Sequence, residues 1–253
     1  KKRIFKIMTR AAILLANTLT NHGVDRVFCV PGESYLALID ALYDTPNIDV
    51  VTARHEGGAS FMAVADAKMT GKPGIVMVSR GPGATNASIG IHVSQQDAVP
   101  VIMFVGQVSR EDRGREAFQE VDYVKTYSDM AKWVIEVSDA DKISECVRRA
   151  FVIAQSGTPG PVIISLPEDM LLDETNAPAL IPAIISQPKP NMDDIIEICD
   201  MLAIAKRPLI IAGGQIGGNK GRNLLRIVSE TWNIPVATAW RHQDLFNTNH
   251  PNF

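Results

Sequence analysis

What the chain has little of narrows it first. Cysteine occurs only 3 times in 253 residues, as Cys29, Cys146 and Cys199. An odd number at wide spacings excludes a disulfide framework and the paired pattern of a zinc ribbon, and it suits a reducing cytoplasm. Long apolar runs are missing: none reaches the ~18 residues of a membrane-spanning helix, and the amino terminus has no signal-peptide core with a cleavage site. Basic excess is missing as well, since 25 Lys and Arg stand against 28 Asp and Glu for a formal charge of -3. The basic runs are Lys1, Lys2, Arg3 and Lys6 at the start, and Arg110, Arg113 and Arg115, the latter offset by Glu111, Asp112 and Glu116. Neither nucleic acid nor a membrane is therefore expected as a partner. His22, His55 and His92 stand at spacings that suit no single metal site.

What is present is a chain 46% hydrophobic, long enough for one large domain and part of a second. Lys1 to Ile7 read as leader sequence ahead of a natural start at Met8. Helical and extended segments then alternate with almost no hairpin signals, which predicts an α/β fold, a parallel sheet flanked by helices on both faces. Thr9 is placed to cap a helix through Leu19, and Gly23 to end it. Strands are expected at 26–30, 48–53 (buried), 74–79, 100–105, 132–137 and 161–166, with helices at 34–43, 55–69 and 140–155 and a polar loop over 106–118. These make a first domain over residues 8–172. Residues 173–190 hold four prolines and little periodicity, which reads as a surface linker. A second α/β pattern fills 191–253 with helix 192–204, strand 208–212, glycine turn 213–218, helix 220–232 and strand 234–237. Two strands and two helices make an incomplete domain, as though the chain were cut short.

Chemistry concentrates where strands should end. Glu56 follows the apolar run Ile48 to Ala53 and opens a helix, so its carboxylate can face a ligand groove at strand carboxyl ends. The run Ile75 to Ser79 leads into a second such junction, Arg80-Gly81-Pro82-Gly83-Ala84-Thr85-Asn86, where glycines admit close backbone approach and a helix start offers free amides.

These residues bring a family into view. Val30-Pro31-Gly32, Arg54-His55-Glu56-Gly57-Gly58-Ala59, Gly81-Pro82-Gly83-Ala84-Thr85-Asn86, and Gly106-Gln107 with Ala117-Phe118-Gln119-Glu120 occur in an order that resembles the amino-terminal part of thiamine diphosphate-dependent enzymes, most closely those of the acetolactate synthase type. The resemblance implies that residues 8–172 bind the aminopyrimidine of the cofactor and that Glu56 is catalytic, contacting ring nitrogen N1'. A proton shared there favours the imino form of the exocyclic nitrogen, which can take the thiazolium C2 proton so that a 2-oxo acid is attacked and decarboxylated. It implies further cofactor contacts at Pro31, Gly32, Gly81, Pro82, Gly83 and Asn86, and places Glu33, Ser34, Phe118, Gln119 and Lys132 along the substrate channel. Some decarboxylases of the group carry a catalytic serine directly after the Pro-Gly pair; here that position is Glu33, which departs from that mechanism, and the Phe118-Gln119-Glu120 block points to acetolactate synthase-like carboligation.

Family members hold magnesium (Mg) and the diphosphate through a separate Gly-Asp-Gly domain, and no Gly-Asp-Gly occurs in this chain. The resemblance thus implies a portion inactive on its own, belonging to a homodimer or tetramer that meets through the pyrimidine-binding domain, with no metal ligands here. The second domain holds FAD in some members and nothing in others, which leaves FAD open. Two other readings compete: an FAD- or NAD-dependent oxidoreductase using Gly213 to Gly218, for which Glu230 falls at the right distance but inside a helix, and a non-catalytic assembly module that pairs with a chain carrying the diphosphate domain.

Overall fold

The computed structural model describes residues 8–186 and 188–253; residues 1–7, on which the expected leader and the first basic run fall, and Gln187 lie outside the described residues. The chain divides into two compact units, one up to Ile185 and one from Ser186 to Phe253.

In the first unit the elements run β1 (Thr9–Arg10), α1 (Ala11–Asn21), β2 (Arg26–Cys29), α2 (Leu36–Tyr43), β3 (Asp49–Thr52), α3 (Glu56–Thr70), β4 (Gly74–Val78), α4 (Pro82–Gln96), β5 (Val101–Gln107), α5 (Tyr123–Tyr127), β6 (Trp133–Glu136), α6 (Ile143–Gln155), β7 (Pro161–Pro167) and β8 (Glu174–Thr175). Six of the strands form a parallel sheet in the order β3-β2-β4-β5-β7-β6. Successive strand side chains point to opposite faces, so β5 sends Val101, Met103 and Val105 into the core under α3, α4 and α5, and Ile102 and Phe104 into the core under α1, α2 and α6. Both faces being covered is why the strands read as unbroken apolar runs. Each such side chain, fully buried, stabilises the fold by roughly 2 kcal/mol.

The sheet order places the site. From β2 the chain steps outward to β3 and then returns past β2 to β4. Connections diverge at that reversal, leaving a crevice at the carboxyl ends of β2 and β4.

Several expectations need correction. Thr9 does not cap α1: it pairs with Thr175 in the antiparallel β1–β8 ladder, Arg10 occupies the cap position without a side-chain capping bond, and the Ala11 N–H is satisfied by the Asp173 carbonyl at 2.8 Å. The strand after Ile48 is an exposed edge rather than a buried strand, with all four β3 residues open to solvent. The helix predicted from Ser34 starts at Leu36, after a 3-10 turn over Glu33–Tyr35. The first half of the 173–190 segment belongs to the first unit: besides β8, Ala177 and Ala179 pack on the core, and the Leu180 N–H donates to Ser144 Oγ at 2.8 Å. Proline rules out helix there but not packing.

The second unit comprises α7 (Met192–Ile204), β9 (Ile210–Ala212), α8 (Gly218–Trp232) and β10 (Val236–Thr238). β9 and β10 pair in parallel over a small core of Ala212, Leu225, Val236, Leu245 and Phe246. Asn191 caps α7 by accepting from the Asp193 N–H. No helix among the described residues is long and apolar enough to cross a membrane.

Candidate functional site

Glu56 is the first residue of α3. His55 before it is extended, with φ -156° and ψ 138°, and its Nδ1 accepts the Gly57 N–H at 3.0 Å, so a histidine caps the helix in place of the usual Ser, Thr or Asp. α4 opens on Pro82, whose missing N–H costs nothing at a first helical position. Asn86 in that helix donates from Nδ2 to Glu56 Oε2 at 3.0 Å. The two helices come this close because small residues line their contact. A Cβ at Gly90 would meet Ser60 Oγ at 2.3 Å, and one at Gly57 would lie 3.4 Å from the Asn86 carbonyl oxygen.

The turn between β4 and α4 borders the same carboxylate. Gly81 has φ 62° and ψ -113°, open to glycine but not to ordinary side chains. Gly83 packs closely here: a Cβ there would lie 3.2 Å from Ser79 Cβ and 3.5 Å from Glu56 Oε1. With Oε2 engaged by Asn86, Oε1 lies beside the Gly83 backbone.

The loop after β2 closes the crevice from the other side. Pro31 is exposed. Gly32 is extended, and its need is steric, since a Cβ would come within 2.6 Å of Ser79 Cβ. Ser34 departs from the channel role expected of it: it is 1% exposed, donates to Ser79 Oγ at 3.3 Å and accepts the Arg80 N–H at 3.0 Å, bracing the loops after β2 and β4 against each other. Glu33 is exposed and lines a separate hollow with Leu36, Asp40, Glu168 and Leu172. Arg80 extends the bracing to the end of β7 by an ion pair with Glu168 at 2.7 Å.

Phe118 and Gln119 lie in the loop after β5. Gln119 is wedged against the glycine turn, its Cβ 2.8 Å from where a Gly81 Cβ would stand, and Phe118 is 78% exposed. Lys132 does not join them. It precedes β6, at the opposite edge of the sheet from the strand carboxyl ends, and its Nζ donates to the Ile153 and Ser156 carbonyls at 2.5 and 2.6 Å. There it caps the end of α6, with burial lowering its pKa.

The sequence reading missed α5. Tyr123 accepts the Gly81 N–H at 2.9 Å and Tyr127 donates to the Ala84 carbonyl, so two tyrosines one helical turn apart clamp both ends of the glycine turn. Aromatics at i and i+4 in Tyr123-Val124-Lys125-Thr126-Tyr127 were the available signal. Burial pushes the Tyr123 hydroxyl up to about 12 and that of Tyr127 up as well. A folded-state pKa above the ordinary ~10 favours the neutral ring in the fold, so this stability is fully present below about pH 10 and is lost as pH rises through about 12. The loss at Tyr123 should approach about 3 kcal/mol. Melting temperature is therefore expected to hold up to about pH 10 and fall steeply beyond it, and Tyr123→Phe should blunt the fall; an unchanged alkaline profile in that variant would remove Tyr123 as its cause.

Among the described residues no three His, Cys, Asp or Glu side chains converge to hold a metal. In the second unit the glycine turn holds a 3-10 turn over Gly214–Ile216 before α8, and a Cβ at Gly214 would strike the His242 ring at 2.6 Å. Glu230, the acid a dinucleotide site would need, is bound within its own unit by Arg226 at 2.6 Å and His250 at 3.2 Å, which weighs against the oxidoreductase reading.

Known proteins resemble this chain over most of its length. Residues 9–126 match the family described as thiamine pyrophosphate enzyme, N-terminal TPP binding domain, and residues 195–253 match its central domain. The chain is 37% identical over 235 residues to the acetolactate synthase large subunit of Lactococcus lactis, covering 91% of this chain and 41% of that protein. It is 36% identical over 236 residues to the mitochondrial acetolactate synthase of Schizosaccharomyces pombe, covering 87% and 35%. Against acetolactate synthase isozyme 3 large subunit of Escherichia coli it is 33% identical over 249 residues, covering 96% and 43%. The chain thus spans less than half the length of these curated relatives. Through both of its units the chain belongs to the thiamine pyrophosphate enzyme family.

Proposed function

We propose that this chain supplies the aminopyrimidine side of a thiamine diphosphate site in a 2-oxo acid decarboxylase and carboligase of the acetolactate synthase type. The observation that carries the reading is the Glu56 carboxyl fixed by Asn86 with Oε1 beside the glycine turn Gly81 to Gly83: a flat heterocycle needs a floor without side chains, and its ring nitrogen needs a carboxyl group at the edge. When bound, thiamine diphosphate supplies the electron sink that lets a 2-oxo acid lose carbon dioxide.

The residues divide the remaining work. Glu56 would meet the ring nitrogen through Oε1 and exchange a proton with it there, while Asn86 fixes the carboxyl group through Oε2. Gly81, Pro82 and Gly83 form the floor, Pro31 and Gly32 the facing wall, and the α4 amino terminus lends its positive dipole end. Phe118 and Gln119 border the side on which substrate enters, with Glu33 further out. Magnesium and the diphosphate fall to another domain of the complete protein. The exposed apolar residues Phe61, Met69 and Ile89 on α3 and α4 support pairing of two copies across this face.

The test is turnover. The complete protein, given thiamine diphosphate, magnesium and pyruvate, is expected to release carbon dioxide and form a new carbon–carbon bond, and to do neither without thiamine diphosphate. Release that is absent, or that proceeds equally without the cofactor, overturns the proposal.

A further inference from the structure

The backbone from Arg113 to Glu120 is strained. Gly114, Glu116 and Gln119 have φ of 77°, 56° and 65°, and a non-glycine residue in this region costs on the order of 1 kcal/mol or more. Such strain persists only where the surroundings over-determine the conformation. Here one carboxylate does so. Glu120 Oε1 accepts the Gly114 N–H at 2.7 Å and Arg113 Nη1 at 2.5 Å, and Oε2 accepts the Ala117 N–H at 3.3 Å. The Gly114 bond holds the Glu120 carboxyl below the usual carboxylate range, so it stays ionised.

The hub is anchored to the sheet. Arg113 Nε donates to Glu136 Oε1 at 3.0 Å, and Glu136 Oε2 accepts from Gln107 Nε2 and Ser165 Oγ, each at 3.3 Å. One network therefore ties the loop to the carboxyl ends of β5, β6 and β7. What it holds out gains little from folding, because Phe118 is left 78% exposed and Gln119 is forced into a left-handed conformation against Gly81.

We infer that Glu120 is a positioning residue, acting through the 113–120 loop to seat Gln119 on the glycine turn and to present Phe118 at the rim of the crevice, where the 2-oxo acid and its carbonyl acceptor enter. The inference rests on the reading of the site proposed above. It assigns to Glu120 a role in substrate binding exerted without touching substrate, distinct from holding the cofactor or the fold.

The experiment compares Glu120→Gln with the wild type in the complete protein by two measurements: native-state trypsin cleavage after Arg115, and pyruvate kinetics at saturating thiamine diphosphate. Glutamine keeps the size but loses the charge that gathers Arg113 and two N–H groups. Cleavage is expected to speed up and KM for pyruvate to rise by about tenfold, the scale on which slightly misplaced groups act, with melting temperature and the thiamine diphosphate needed for half-activation little changed. Faster cleavage with an unchanged KM overturns the inference, as do unchanged cleavage and a fall in kcat and melting temperature at constant KM. A wild type that turns over no pyruvate sinks the proposed function first and this inference with it; an active wild type beside an indifferent Glu120→Gln sinks this inference alone.

Discussion

Glu56→Gln in the complete protein is expected to reduce pyruvate turnover by about 10²- to 10⁴-fold, the usual cost of losing a positioned acid–base group. Magnitudes separate this from a structural effect. As an acid in the first turn of α3, Glu56 contributes only about 0.3–1 kcal/mol through the helix dipole, and its bond from Asn86 Nδ2 can be accepted equally by a glutamine oxygen. Melting temperature should therefore barely move while kcat collapses. The ionisable proton at Oε1 is what glutamine cannot replace. The decisive measurement is kcat at saturating thiamine diphosphate beside a thermal melt of the same preparation. Turnover within a few-fold of wild type would end the assignment of Glu56.

Which parts of this site the sequence made legible follows from the range of the forces involved. Buried strands such as β5 were readable because both faces of the sheet are covered, leaving an apolar run bounded by Pro100 and the loop after Gln107. The junctions at Glu56 and Gly81 were readable because turn chemistry is local: glycine and proline act on their own backbone. α5, with five residues, is too short to show helical periodicity and is held by hydroxyl bonds to the glycine turn some forty positions earlier in the chain. β3 resembled a buried strand because Val50 and Val51 are apolar, yet its place at the sheet edge is set by topology. Ser34 and Lys132 failed as channel residues for the same reason, since their partners, Ser79 for one and the last carbonyls of α6 for the other, lie far along the chain. The linker boundary shifted because a two-residue ladder to Thr9 and Arg10 cannot be seen in composition.

Gly90→Ala tests whether the approach of α3 to α4 is what sets the site. Inside a helix this change would ordinarily stabilise by about 1 kcal/mol. At this position the new Cβ would stand 2.3 Å from Ser60 Oγ, 2.5 Å from Ser60 Cβ and 2.8 Å from the Ser60 carbonyl carbon. The first of these can rotate away; the backbone carbon cannot, so the helices must separate. Overpacking of this kind costs about 1–3 kcal/mol and occasionally more, and with main chain in the way the upper end applies, leaving a net loss of about 2 kcal/mol after the propensity gain. Separation also lengthens the 3.0 Å bond from Asn86 to Glu56, so turnover should fall together with stability, in contrast to Glu56→Gln. The cause can be isolated with Ser60→Gly, which removes both side-chain contacts: added to Gly90→Ala it should recover part of the loss, a non-additivity expected only of residues in direct contact. Urea unfolding of the two single variants and the double variant measures this. A Gly90→Ala protein as stable as wild type, or strict additivity with Ser60→Gly, would mean that the two helices have slack and that the Glu56–Asn86 geometry is held by something other than their packing.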